Sequence, residues 1–449
     1  MKMKKSGIVV LLLISTLGFA QNKSVDSTKV YKKRVLESSE IDFITSYYLQ
    51  DGRNAAVSGG IGTEELSDFT SNLVVSVPLN DDDILTVDAG ISAYSSASSS
   101  NINPFDGDNA DPFLASSGAS SSDVWYNFTG SYNHSSDNRN NIWDARLSVS
   151  IEFDYTSFGF GGGYTKLFNE KNTEASVHAN VFLDSWSPRY PVELSSASRS
   201  FSIDDYTITG NSDYNPTFQP FSNKSRNSYS LGFGLSQVLS KNLQTLFALD
   251  LVFQQGLLST PYQRIYFSDI EDSFIEDFQL ADAIELLPDT RLKVALGNRM
   301  SYYINEYIVL RSFYRYYFDD WGIISHTASL EIPVKFADKF TLYPSYRYYS
   351  QTAADYFAPY EKHVSTERFY TSDYDLSGFY ANQYGFGITY TDIFTNSHIW
   401  IFGLKSIDLK LNYYERDTGF NALFIVGGFK FVLDDRKKSI PKLLNKIGF

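Results

Sequence analysis

The sequence predicts an all-β protein: a single closed antiparallel transmembrane β-barrel of about sixteen strands, with short turns at one end and long loops at the other. Three observations support this fold. Apolar and polar residues alternate with a period of two through most of residues 39–433. The alternating segments run to roughly 10–13 residues, the length of a tilted membrane strand, whereas soluble strands typically have about 5–6. Aromatic residues make up 16% of the chain, and amphipathic rings suit the edges of a bilayer.

Residues 1–20 have the pattern of a secretory signal peptide. Three lysines among the first five residues precede a short apolar run, and Gly18-Phe19-Ala20 places small residues at a signal-peptidase site. The apolar run is shorter than the ~20 residues that cross a bilayer as a helix, so a membrane anchor explains it less well. We predict cleavage after Ala20, with residues 21–38 forming a polar periplasmic lead-in.

Each strand of the predicted barrel, residues 39–433, is assigned from its alternation and its flanking turn residues. The clearest is 407–416, where Ile407, Leu409 and Leu411 face one way and Asp408 and Lys410 face the other. The sixteen predicted strands lie near 40–50, 67–79, 84–94, 123–133, 142–153, 157–168, 173–185, 226–239, 243–255, 291–304, 307–318, 323–336, 340–351, 379–390, 407–416 and 420–433.

The connections between these strands alternate between short polar turns and long polar loops. Long loops are predicted near 95–121, 186–225, 257–290 and 353–378. In outer-membrane barrels the short turns face the periplasm and the long loops face the outside. An even number of strands returns the chain to the periplasm, where the basic tail 434–449 is expected. The join 391–406 is long for a periplasmic turn.

Charge and composition exclude several classes of function. The formal net charge is −14, which offers no basic surface for nucleic acid. The chain has no cysteine, so it has no thiol nucleophile, disulfide, Cys-ligated zinc site or lipoprotein anchor. Of its five histidines, only His178 and His326 fall on predicted strands, and a Ser–His hydrolase at the membrane face is the weakest alternative. We expect the protein not to be an enzyme.

One acidic segment has the composition of a cation site. Asp106, Asp108 and Asp111 surround Gly107, and oxygen ligands on a flexible loop suit calcium. The segment is not an EF-hand, because Ser117 occupies the place of the bidentate glutamate. A solvated acidic loop is the plainer interpretation, and no other cofactor is predicted.

A second candidate site is a basic stripe on the inward faces of the C-terminal strands. Charged residues lining a pore select ions and solutes of opposite sign. Glu331 and Asp408 are predicted to share these faces, so salt bridges that stiffen the barrel are the plainer interpretation and solute selection is the alternative. The predicted stripe consists of Arg291, Lys293, Arg299, Arg311, Arg315, Arg347, Lys410 and Arg416.

Four segments carry a resemblance to a known family: residues 87–105, 116–135, 153–168 and 256–267, with LLSTPYQRIYF at 257–267 the most distinctive. Over nearly the whole mature chain the sequence resembles an uncharacterised family of secreted proteins, common in Bacteroidota and named only by a domain-of-unknown-function number. The resemblance implies an outer-membrane barrel and brings no established activity. It also implies a gene neighbourhood with a flavin transferase, a thioredoxin-like protein and a small lipoprotein, which indicates envelope flavoprotein or redox maturation.

These features are compatible with two functions. A barrel with a polar, partly basic lumen would act as a porin-like channel or transport component, with a small anionic solute as its cargo. A non-conducting barrel would instead scaffold a complex with an envelope protein, using its long loops and tail as contact surfaces. In both cases the protein is expected in the cell outer membrane. Its other partners are then membrane lipid and, during insertion, the barrel-assembly machinery.

Overall fold

A computed structural model describes residues 32–96, 122–194 and 206–433 of the chain. Within these residues, eighteen strand segments join into one antiparallel sheet. One segment continues the twelfth strand and another, His398–Ile399, belongs to a turn, so the wall has sixteen strands. They are β1 Glu40–Asp51, β2 Leu66–Pro78, β3 Asp83–Ser96, β4 Ser122–Ser135, β5 Asn141–Ile151, β6 Tyr155–Phe168, β7 Thr173–Trp186, β8 Arg226–Ser240, β9 Leu243–Gly256, β10 Thr290–Tyr303, β11 Val309–Asp319, β12 Ile324–Glu331 with its continuation Val334–Ala337, β13 Phe340–Gln351, β14 Phe379–Thr391, β15 Phe402–Arg416 and β16 Asn421–Leu433.

The sheet closes on itself, because the first strand pairs with both the second and the last. β1 and β16 are in register from Glu40 opposite Val432 to Asp51 opposite Asn421. A closed sheet leaves no edge strand with unpaired N–H and C=O groups. The prediction of one closed antiparallel barrel is therefore confirmed.

The outer face of the wall is apolar. Across the closing seam Phe43 lies opposite Phe429, and on the other side of β1 it lies opposite Leu73, all three exposed. The same face continues around the sheet through residues such as Leu147 and Phe160, which pair between β5 and β6. Because side chains alternate along a strand, the residues between these positions point into the barrel.

The two ends of the barrel differ as predicted: one, the turn end, carries short connections, and the other, the loop end, carries long ones. Most strand ends differ from the predicted bounds by no more than a few residues. The largest difference is at β15, which begins at Phe402 rather than near residue 407. The preceding turn, 392–401, contains the two-residue strand His398–Ile399, which pairs with Gly403 and Phe402. Hydrophobic alternation misses this extension because a bulge at Lys405 shifts the register of β15.

A packed cap covers the loop end. We define the cap as residues 52–65, 187–194, 206–225, 257–289 and 352–378. Its regular elements are the 3₁₀ helices Ala56–Ser58 and Tyr374–Leu376 and the short strands Ile208–Gly210, Arg264–Ile265, Ser273–Ile275, Phe278–Gln279 and Ala283–Ile284. Two of these strands, Arg264–Ile265 and Ala283–Ile284, pair with each other, and the other three form a separate small sheet.

The hydrophobic core of the described residues lies at the loop end. One cluster packs Leu194, Tyr266, Ala281 and Ile284 together, with aromatic side chains around it. A neighbouring cluster of Ile265, Phe267, Ala283 and Tyr370 joins loop 257–289 to loop 352–378, and a third forms around Trp321. The barrel interior therefore contributes little to the core, which the loops supply instead.

Some predictions fall on residues that the structure does not describe. These are the signal peptide 1–20, most of the lead-in 21–38, the acidic loop segment 106–111 and the tail 434–449. Among the described residues, no helix has the length and apolar character needed to cross a membrane.

The closing seam generates a direct prediction. Tyr47 lies opposite Ile425, and directly opposed Cβ atoms are about 4.5–5.5 Å apart. Because the chain has no native cysteine, a variant with Tyr47→Cys and Ile425→Cys should form an intramolecular disulfide on mild oxidation. The measurement is a reductant-sensitive shift on a denaturing gel. Tyr47→Cys combined with Leu423→Cys is the control, displaced by two residues, and preferential cross-linking of this control would contradict the closure register.

Candidate functional site

The predicted basic stripe lies on the inward faces of strands β10, β11, β13 and β15. On β10, Leu292 and Leu296 belong to the exposed outer face. The alternate positions of β10 therefore face the lumen. Residues paired directly across neighbouring strands lie on the same face, so the register identifies the inward positions of β11 to β15. All eight residues face inward: Arg291, Lys293, Arg299, Arg311, Arg315, Arg347, Lys410 and Arg416.

Two of these arginines form ion pairs near the loop end. Arg291 donates from Nε to Oδ2 of Asp319 at 2.9 Å, and the Asp319 side chain is fully buried. Arg416 lies 2.6 Å from Asp375 of the cap. The first pair joins β10 to β11 and the second joins the wall to the cap, so both have a structural role.

Nearer the middle of the wall, Glu331 on β12 lies between two cations. Arg311 Nη1 is 2.9 Å and Lys410 Nζ is 3.8 Å from its carboxylate oxygens. A recess of about 240 Å³ opens beside Glu331. Its polar lining includes Arg347 and Gln383, and Gly387 leaves space between Lys410 and the strand backbone.

The other four cations of the stripe have no carboxylate within 4 Å among the described residues: Lys293, Arg299, Arg315 and Arg347. Arg299 contacts the ring of Phe313, 5.8 Å from its centroid, and both Arg299 and Arg347 are exposed inside the barrel. Arg315 keeps its Nε without a hydrogen-bond partner. The middle of this wall therefore presents positive charge that is not neutralised by a neighbour.

The facing wall carries acidic residues. In a closed barrel of sixteen strands, each strand faces the one eight positions further along, so β10–β13 face β2–β5. The inward positions of these strands include Asp68, Asp88 and Asp144. The lumen is therefore mainly basic on one side, and the other side carries these aspartates together with the inward Arg146.

Several inward charges are exposed inside the barrel instead of being packed in a core. The side chains of Arg146, His178, Asp250, Arg299 and Lys410 point into the barrel and are nevertheless exposed. Every buried hydrophobic side chain among the described residues lies at the loop end, in a loop or within three residues of a strand end. Barrels of this strand number leave an aqueous interior.

An ion pair lies buried inside the cap. Arg264 donates from Nε to Glu193 Oε1 at 2.6 Å and from Nη2 to Oε2 at 3.1 Å, and its Nη1 binds the carbonyl oxygen of Val57. Both charged side chains are almost fully buried. The pair and the Val57 hydrogen bond join three cap segments to one another. Removing one charged partner would leave the other charge buried and uncompensated.

A second polar centre in the cap is Glu285. Its carboxylate accepts from the backbone N–H of Thr260, at 2.5 Å, and from the hydroxyl of Thr371, so it bridges loops 257–289 and 352–378. Burial, followed by the negative charge of Asp373, raises the pKa of Glu285 to about 8. Burial also raises the pKa of Asp282 to about 6. The cap therefore contains carboxyl groups that resist ionisation.

Sequence reasoning did not assign a role to the buried polar centres of the cap. Arg264 lies in LLSTPYQRIYF, the most distinctive stretch of the sequence, whose residues Ser259 and Phe267 are also almost fully buried. A polar, proline-containing segment has no periodic pattern that would show burial. The distinctive sequence of that stretch is the feature that could have indicated its burial.

The two histidines on predicted strands, His178 and His326, lie on opposite faces of the wall. His178 faces the lumen on β7. His326 faces outward on β12, where its Nδ1 is 2.8 Å from the hydroxyl of Tyr314. They do not belong to one constellation. Among the described residues, no group of three or more His, Asp or Glu side chains could hold a metal ion, and the acidic segment with Asp106, Asp108 and Asp111 lies outside those residues.

The fold defines a closed barrel with charged residues facing its interior and a packed cap at its loop end. The chain belongs to a family described as a protein of unknown function, DUF3570, whose model matches residues 10–433. No curated protein matches the sequence.

Among solved structures, the chain is similar to a bacterial polysaccharide outer membrane secretin, with 10% identity, coverage of 89% of this chain and 100% of that chain, and a TM-score of 0.44. It is also similar to a BenF-like porin from Pseudomonas fluorescens Pf-5, with 8% identity, coverage of 88% and 98%, and a TM-score of 0.40. A third is the outer membrane protein opdK from Pseudomonas aeruginosa, with 8% identity, coverage of 88% and 99%, and a TM-score of 0.37. These similarities are too low to transfer a function.

The buried Glu285 makes cap stability depend on pH. The stabilising contribution of its neutral form is complete below the ordinary pKa of 4.5, falls as pH rises, and reaches its minimum near the folded pKa of about 8. Between these two pKa values, the contribution of Glu285 to the stability of the cap falls by about 1.4 kcal/mol per pH unit. Hydrogen exchange of cap amides, corrected for intrinsic rates, should show protection falling between pH 5 and pH 8, less steeply in Glu285→Gln.

The control for this experiment is Glu271→Gln, which neutralises an exposed carboxyl in the same loop. This variant should keep the wild-type pH dependence. Equal pH dependence in Glu285→Gln and the wild type would contradict the assignment.

Proposed function

We propose that the protein is a porin-like channel of the outer membrane, with a water-filled lumen that favours small anionic solutes. The observation that carries the proposal is a set of exposed inward charges: Arg299, Arg347 and Lys410 point into the barrel and remain exposed, while the hydrophobic core lies in the cap. A barrel that served only as a rigid scaffold would gain stability by filling its interior with packed side chains.

The same proposal fixes the orientation and location. The apolar outer face suits lipid, and the cap faces the outside while the turn end faces the periplasm. The chain reaches the membrane after cleavage of the signal peptide predicted at Ala20, and the barrel-assembly machinery inserts it. The channel is not an enzyme.

Anion preference follows from the cations that the wall exposes inside the barrel. Arg299, Arg347 and Lys410 are exposed to the lumen water, and no carboxylate lies within 4 Å of the first two among the described residues. Three unit charges at about 10 Å in water contribute about 1.2 kcal/mol before screening. At 0.1 M salt, screening reduces this to roughly 0.5 kcal/mol. Both values are large enough to bias which solutes enter.

The packed cap favours a second candidate, a non-conducting scaffold. The Arg264–Glu193 pair and the clusters around Tyr266 and Phe267 hold several loops in one arrangement. A rigid surface of this kind could serve as a docking platform for an envelope protein complex. The family resemblance, with its Bacteroidota setting, implies a flavoprotein or redox association for such a complex.

Planar-bilayer recording separates these functions. The purified wild type should give stepwise conductance and a reversal potential of anionic sign in a salt gradient. Neutralising the wall with Arg299→Gln, Arg347→Gln and Lys410→Gln should lower the anion-to-cation permeability ratio about five- to sixtyfold. Each energy above counts twice in this ratio, because the positive wall favours an anion and disfavours a cation by the same amount.

A charge-matched control neutralises Lys166, Lys171 and Lys241, which are exposed outside the lumen. Its permeability ratio should stay near that of the wild type. A silent bilayer under all salt conditions would reject the channel and favour the scaffold. If the protein conducts but the two triple variants have equal permeability ratios, the channel stands and only its selection of anions is rejected.

A further inference from the structure

The turns at the turn end of the barrel differ in polarity. Apart from Leu79 and Arg139, turns 79–82, 136–140, 169–172 and 241–242 consist of Asn, Asp, Ser, Lys and Glu. The turn 392–401, between β14 and β15, instead exposes Ile393 by 71%, Ile399 by 61% and Trp400 by 89%. Large apolar side chains this exposed are unusual in a turn that faces water.

This turn is a built hairpin rather than a loose connection. Ile399 pairs with Phe402 across its two-residue ladder. The backbone N–H of Leu404 donates to the carbonyl of Ser397 at 2.7 Å, and the N–H of Ser397 donates to the buried carboxylate of Asp392 at 3.1 Å. These hydrogen bonds hold the tip in one conformation, so its apolar side chains are presented together.

The exposed residues continue the lipid-facing belt of the wall. Phe402 pairs with Leu433, which shares the outer face of β16 with Phe429. Next to the hairpin, an outward aromatic group joins Phe336, Phe340 and Tyr390 with ring centroids 5.8 and 5.3 Å apart. The apolar outer surface therefore reaches the hairpin, where the Lys339 ammonium lies over the Tyr390 ring, 5.6 Å from its centroid.

We propose that hairpin 392–401 is an anchor that inserts into the lipid of the periplasmic leaflet, with the Trp400 ring among the headgroups. The inference rests on the proposed outer-membrane location of the barrel. Aromatic rings, tryptophan above all, favour the boundary between hydrocarbon and water, where the ring is apolar and its N–H reaches polar groups. The anchor fixes the depth and tilt of the barrel on the side of β14 and β15, while the polar turns on the other side remain in water.

Spin labelling tests the anchor, and the absence of native cysteine removes background labelling. Single variants Trp400→Cys and Ile399→Cys are labelled in the full-length protein, reconstituted in vesicles of phosphatidylcholine and phosphatidylglycerol. Lys241→Cys, in a polar turn at the same end, is the aqueous control. Leu296→Cys, on the outer face of β10, is the lipid reference. Collision rates with oxygen and with a water-soluble nickel chelate are then compared.

We expect the oxygen-to-nickel collision ratio at 399 and 400 to exceed that at 241 severalfold and to approach that at 296. A ratio at 399 and 400 equal to that at 241 would overturn the anchor, because the hairpin would then lie in water. Low collision rates with both reagents would also overturn it, since the hairpin would then pack against protein, either the tail 434–449 or a partner. A water-like ratio at 296 as well would overturn the membrane location together with the anchor.

Discussion

Backbone hydrogen bonding at the closing seam is the constraint on which the rest of this structure depends. A sheet whose outer face is apolar has no stable open form in lipid, since unpaired N–H and C=O groups at an edge each cost several kcal/mol. Pairing of β1 with β16 removes both edges at once. It also fixes which side chains face lipid and which face the interior. The basic wall and the aspartates on the strands opposite it both follow from that closure.

Closure places the hydrophobic core in an unusual position. A wall of sixteen strands can enclose an aqueous space, and inward charges such as Arg347 are exposed there. The loops then pack against one another and form the core in the cap. Buried polar centres specify how they pack: Arg264 pairs with Glu193, and Glu285 bridges two loops. The barrel thus joins a closed wall to a cap that contains buried charged and ionisable groups.

Much of the fold was predictable because a membrane strand has a simple signature. Alternation at 407–416 and the polar turns gave the sixteen strands, and the inward orientation of all eight stripe residues follows from the same alternation. The cap was not predictable in this way. Residues such as Thr371 and Arg264 are buried by contacts between loops distant in sequence, which leave no local period. The bulge at Lys405 likewise hid the start of β15. The strand register also decides which charges within the stripe pair with one another. That register is set by the pairing of complete strands and not by any short segment.

The central claim is that the barrel holds water inside and lipid outside. It is tested most directly by thiol modification at two adjacent positions of β13, in variants Arg347→Cys and Tyr348→Cys. Position 347 faces the lumen and position 348 faces outward. With a charged, water-soluble reagent supplied to both ends of membrane-embedded protein, position 347 should react rapidly and position 348 should be protected. Protection of both positions, or equal reaction at both, would contradict the account.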